Sequence, residues 1–138
     1  MSILRNIGAV LLGLVAGMAV NMALVILNTK VLFPLPPGTD MNDPASFKAY
    51  IEGLPQSAFV VVLFAHLGQS FVGAWLAARV GVTRPMVLAL VVGALSLVAG
   101  VLNAMQVPMP AWMYVEFPLY LVVAWLAGRI EVKRRAAV

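Results

Sequence analysis

The chain has 138 residues, of which 63% are hydrophobic and 10% charged, with a formal net charge of +4 and no cysteine. A soluble domain carries about 45–50% and about 25% of these classes, so most of this surface needs lipid rather than water as its solvent. The missing thiols exclude disulfide scaffolds and cysteine nucleophiles, and a single histidine, His66, excludes a multi-histidine metal site or a bis-histidine haem within one chain.

A helix that spans a bilayer needs roughly 20 mainly apolar residues, and helix is the only open-ended form that pairs its own backbone in lipid. The first such stretch runs from about Ile7 to Asn28. Arg5 before it resembles the basic flank of a signal peptide, but the apolar run is too long and no small-x-small site follows, so it is read as a retained span. An external loop over 31–57 comes next. Pro34, Pro36, Pro37 and Gly38 keep its first part out of helix. Asp43-Pro44 then signals a helix start, and Phe47, Tyr50, Ile51 and Leu54 recur at helical spacing around Lys48 and Glu52. The expectation is a short amphipathic helix over 44–53, ended by Gly53 and Pro55, lying on the membrane or over the mouth of a bundle.

The second span covers about 58–80, the third 85–107 and the fourth 111–130, leaving 131–138 as a basic tail. Gly81-Val82-Thr83-Arg84 and Pro108-Met109-Pro110 are tight connections. Seven basic residues (Arg5, Arg79, Arg84, Arg129, Lys133, Arg134, Arg135) fall on the side of the termini, against Lys30 and Lys48 on the other. The positive-inside rule then places both termini in the cytoplasm and the chain in a bacterial inner membrane. The tail pairs with anionic lipid headgroups on this reading. No aromatic-basic face accompanies the charge, so nucleic acid is not an expected partner.

The chain also resembles itself. Ala74-Trp75-Leu76-Ala77-x-Arg79 ends the second span and Ala124-Trp125-Leu126-Ala127-x-Arg129 ends the fourth, 50 residues later. Leu14-Val15-Ala16-Gly17 in the first span recurs as Leu97-Val98-Ala99-Gly100 in the third, each followed by an asparagine, Asn21 or Asn103. The expected fold is an all-α membrane protein, a four-transmembrane-helix bundle built from two parallel-repeat hairpins about a pseudo-twofold axis along the membrane normal.

Ionisable groups inside a span are costly and mark candidate functional sites. Two occur, His66 and Glu116, at equivalent repeat positions and roughly 8–12 Å below the outer helix ends at 1.5 Å per residue. They are expected within direct or water-mediated hydrogen-bond reach. Gln69, Ser70 and Tyr120 follow on the same faces, and Asn21, Asn28, Asn103 and Gln106 fall in the outer half of their helices, completing a candidate polar pocket. Pro118 is expected to kink the fourth helix beside Glu116. Gly13, Gly17, Gly73, Gly93 and Gly100 are read as helix-packing positions, with the inner half of the bundle dry. Trp75, Trp112, Tyr114 and Trp125 read mostly as interfacial anchors.

The bland reading of the polar residues is interhelical hydrogen bonding alone. No nucleophile elbow, phosphate loop or metal-ligand cluster is present in the sequence, so neither enzyme activity nor a cofactor is expected. The run from Pro36-Pro37-Gly38-Thr39-Asp40 to Ala65-His66, with Pro108-Met109-Pro110-Ala111-Trp112 ahead of an acidic residue, resembles a group of uncharacterised small bacterial four-helix membrane proteins. That resemblance implies a topology and no activity. Two functions stay open: an accessory or self-associating membrane component, joined to a homo-oligomer or larger complex, and a small transporter or channel-like protein with an outward-facing pocket at His66 and Glu116.

Overall fold

A computed structural model describes residues 1–137. Among them are five α-helices: α1 (Ser2–Leu27), α2 (Pro44–Glu52), α3 (Gln56–Val80), α4 (Pro85–Ala104) and α5 (Glu116–Ala136). A π-helical turn, Asn28–Leu32, extends α1, and a 3₁₀ turn, Ala111–Val115, leads into α5. Counting those turns, four helices are long and apolar enough to cross a membrane. Their outward apolar side chains, such as Leu11, Val15, Phe64, Val98 and Leu126, are exposed, as suits a multi-pass membrane protein.

The hub is α3, which packs against α1 on one side and against α4 and α5 on the other; α4 and α5 also pack on each other, and α1 meets α4 only sparsely. The α1–α3 seam is built from glycine. A methyl group on Gly13 would collide with the carbonyl oxygen of Gly73, and one on Gly17 with the carbonyl oxygen of Gln69. Backbone therefore lies directly on backbone, the approach that small residues permit in lipid. Gly93 does the same for the Ala124 methyl, and Gly100 for the Tyr120 ring. Beyond these seams the core of α3, α4 and α5 is small-residue packing, with Ala74, Ala77, Ala78, Ala89, Ala124 and Ala127 fully buried.

Outside the bundle, α2 begins as its residues dictate. The Asp43 carboxylate accepts from the Ser46 backbone N–H at 2.9 Å, with Pro44 opening the helix. Tyr50 is buried and its hydroxyl donates to the Phe33 carbonyl at 3.2 Å, tying α2 to the end of α1, while burial raises its pKa above the usual tyrosine value. Lys48 and Glu52 face solvent 3.7 Å apart.

Two sequence expectations change here. Pro118 does not kink the middle of a long helix. The turn before it is 3₁₀, and the α-helix starts at Glu116, so Pro118 lies in the first turn, where a missing N–H costs no α-helical bond. The basic tail is also not a tail: α5 runs on to Ala136. This extra turn buries Glu131 completely, so the end of the bundle that carries the termini is not dry. Glu131 accepts from Arg134 Nε at 2.9 Å and Nη2 at 2.5 Å, from Arg135 Nε at 3.0 Å, and from Arg79 at 3.5 Å. Arg135 reaches on to the carbonyls of Ala78 and Gly81, each at 2.6 Å, and so caps the C-terminus of α3. Asn6 holds the following turn from the other side, its side-chain oxygen accepting from Val82 N–H at 2.9 Å and its amide donating to Thr83 Oγ1 at 2.7 Å. Between these two clamps Arg84 holds a left-handed conformation, φ 51°, before Pro85 starts α4.

Candidate functional site

The site forms in the half of the bundle nearer the 31–57 loop, where α3 crosses α5. His66 Nδ1 and Glu116 Oε2 are 2.8 Å apart, with the carboxyl fully buried and the imidazole 13% exposed. One helical turn further along both helices, Ser70 Oγ donates to the Tyr120 carbonyl at 2.9 Å. That bond fixes the crossing, and with it the register that brings His66 to Glu116. The Tyr120 hydroxyl turns back toward Glu116 Oε1 at a long 3.5 Å, and its ring lies 6.4 Å from that of His66 at an interplanar angle of 27°. The Tyr120 ring also fills the space that Gly100 leaves open.

Beside this pair lies a cavity of about 190 Å³, lined by Asn21, His66, Gln69, Ser96, Asn103 and Tyr120, with Met18 and Ala99 at its rim. Met18 on α1 and Ala99 on α4 are both exposed, so the cavity opens where those two helices barely touch. Among the described residues, three buried side-chain oxygens have no hydrogen-bond partner: Asn21 Oδ1 and Ser96 Oγ, on residues that line this cavity, and Asn28 Oδ1, away from it. A hydroxyl or amide oxygen left unpaired away from water costs about 1–3 kcal/mol, so two of them at one cavity call for an explanation.

Of the predicted pocket residues, His66, Glu116, Gln69, Ser70, Asn21, Asn103 and Tyr120 come together, Glu116 and Ser70 as supports behind the wall. Two others lie elsewhere. Asn28 is buried at the α1 end, where its amide donates to the Ala58 carbonyl at 3.3 Å. Gln106 is exposed beyond the end of α4 and turns back to donate to its own Leu102 carbonyl at 3.3 Å. Both fall in the outer halves of their helices, but α1 ends in a π turn and α4 stops at Ala104, so neither reaches the face that lines the cavity. Ser96 is a pocket residue beyond those expected from the sequence, and its position between Gly93 and Gly100 at helical spacing is the signal that could have found it. Glu131 was missed altogether. Its spacing to Arg134 and Arg135, three and four residues, is the mark of side chains that meet on one helical face.

The aromatic residues at the helix ends take two roles. Trp112 donates from its indole to Gln56 Oε1 at 2.6 Å, joining the 3₁₀ turn to the start of α3. Trp125 stays exposed with the Arg129 guanidinium 4.6 Å over its ring.

No family model matches the chain, and neither a curated protein nor a solved structure does. What the arrangement can do rests on its chemistry alone. An imidazole, held from behind by a buried carboxyl, lines a small polar cavity together with residues that carry unpartnered oxygens.

Proposed function

We propose that this chain is a small ligand-binding membrane protein, of transporter or carrier type, whose polar pocket is centred on His66 and Glu116. One observation carries the reading: Asn21 and Ser96, each with a buried unpartnered oxygen, line the same cavity as His66, whose ring is held by the buried Glu116. A bundle held together only by interhelical bonds gains nothing from such orphans. The glycine faces also weigh against self-association as the main role, because Gly13, Gly17, Gly73, Gly93 and Gly100 all meet partners within the same chain.

The proposed setting is a bacterial inner membrane with both termini cytoplasmic, on the strength of the seven-to-two division of basic residues. Lys133 and Arg129, at that end, are available to anionic headgroups. The pocket then lies in the outer half of the span. We further propose that the bundle arose from a duplicated hairpin. Two hydrogen bonds, His66–Glu116 and Ser70–Tyr120, join positions 50 apart, and contacts between equivalent positions are what a twofold axis between α3 and α5 produces.

A second reading, an accessory or self-associating component, is favoured by α1, which buries fewer residues than any other span and leaves Leu11, Val15, Met18 and Met22 exposed. One experiment separates the two. Wild-type protein and the variants His66→Ala and Glu116→Gln are purified in mild detergent, and their small-molecule extracts are compared by mass spectrometry. Under the ligand-binding reading the wild type carries a molecule that both variants lose while their melting temperatures hold. Extracts that match, with only melting temperature or oligomeric state changed, favour the accessory component.

A further inference from the structure

Three carboxamides line the cavity, each from a different helix: Asn21 from α1, Gln69 from α3 and Asn103 from α4. Elsewhere along the membrane helices and their ends, side-chain amides are engaged with protein. Asn6 bonds Thr83, Asn28 the Ala58 carbonyl, Gln56 the Trp112 indole and Gln106 the Leu102 carbonyl. The side chains of Asn21, Gln69 and Asn103 hydrogen-bond to no other protein group among the described residues. Polar side chains in a span ordinarily join one helix to another. Three carboxamides around one space, none joined to a neighbour, are arranged for what enters it.

A carboxamide carries a donor, N–H₂, and an acceptor, C=O, side by side. Turning it over exchanges the two groups and removes neither. It does not titrate, so this wall keeps its character whatever proton His66 and Glu116 share. The Ser96 and Tyr120 hydroxyls, on the same cavity, also both donate and accept. A simple anion would meet only the donors and a simple cation only the acceptors, leaving the others unpaired at about 1–3 kcal/mol each. The complement of a carboxamide edge is a second such edge, the two meeting in a pair of parallel N–H to C=O bonds. A urea group, N–C(=O)–N, has two of these edges, one on each side of its carbonyl. It pairs two wall amides at once, where a simple amide pairs one. Size agrees with this class. Benzene fills a cavity of about 150 Å³, so the 190 Å³ here accepts a small cyclic urea.

Resting on the ligand-binding reading above, we infer that the cavity binds a urea- or ureide-type ligand, its N–C(=O)–N group paired edge to edge with two of Asn21, Gln69 and Asn103. His66 lines the same cavity and is the chain's single histidine, so ¹⁵N-histidine labelling places one reporter there. The test titrates labelled protein in lipid nanodiscs with three five-membered rings of similar size: ethyleneurea, with two N–C=O edges; γ-butyrolactam, with one; and cyclopentanone, with a carbonyl alone. The expected result is a saturable shift of the His66 resonances whose affinity falls in that order. The first and last rings should differ by about tenfold or more, because a site built around N–H groups rejects an analogue that lacks them. Gln69→Met and Asn103→Leu keep side-chain size and the reporter. Together they should weaken ethyleneurea about tenfold and leave cyclopentanone unchanged, and each alone should cost ethyleneurea about threefold, which keeps the test intact if the double variant fails to fold.

Equal responses to the three rings overturn the inference, as does an ethyleneurea response unchanged in the folded variants. No response to any ring also overturns it, and the cavity is then a water site or takes another class of molecule. In that event a molecule in the wild-type extract leaves the broader ligand-binding reading standing, and an empty extract removes both.

Discussion

Two buried carboxyls sit on the same face of α5, 15 residues and about 22 Å apart, and they are treated in opposite ways. Glu131, at the end carrying the termini, is saturated: three arginines reach its two oxygens, and one of them goes on to cap α3. No buried side-chain donor or acceptor beside it lacks a partner among the described residues. Glu116, in the other half, meets one imidazole and a distant tyrosine hydroxyl, next to a cavity with oxygens to spare. Burial alone therefore does not tell the two acids apart. What separates the two is whether the surrounding hydrogen bonds close on themselves. A closed network locks a fold, and an open one leaves chemistry for something else to complete.

That contrast breaks most visibly at Glu131. Replacing it with Ala strands three guanidinium groups and loosens the α3 cap. Removing one partner of a buried ion pair costs about 3–5 kcal/mol, but these arginines are 29–43% exposed and can rehydrate, which brings the expected loss to roughly 2–3 kcal/mol. Denaturant titration in detergent measures it, and a loss under about 1 kcal/mol would show that the network is ornamental. The next effect belongs to the seam under the pocket. Gly17→Ala puts a methyl into the Gln69 carbonyl and forces α1 off α3, an overpacking cost of about 1–3 kcal/mol. Because Gln69 lines the cavity, this variant should weaken ligand retention as well as stability, which the same extracts report. The smallest effect sharpens the comparison from the termini end. Asn6→Ala removes exposed bonds to the Val82–Thr83 turn, worth about 1 kcal/mol, and should leave the pocket and its histidine resonances unchanged.

Much of this architecture was legible before any coordinates. Apolar runs of about twenty residues admit only helix in lipid, so the four long helices follow from composition and length. Asp43-Pro44 announced the start of α2 through chemistry confined to a few neighbouring residues. The His66–Glu116 approach was also foreseeable, because costly groups in a span seek each other and these two occupied matching places. Other features escaped for a common reason. Glu131 looked like part of a solvated tail because the end of α5 is set by contacts with α3, made through Arg135 and Arg79. Asn28 and Gln106 share the outer half of the spans with the pocket residues, but both sit where the helix changes form or stops.

Periodicity and hydropathy are local quantities, and they settle which segments are helices and which residues must avoid lipid. Which neighbour each polar group finds is a matter of packing between helices distant in the chain. The glycine seam draws α1 onto α3, the Ser70–Tyr120 bond sets α3 against α5, and α1 is left barely touching α4. The cavity exists because of that last gap. No single helix encodes it, since it is the space that three packing decisions leave over.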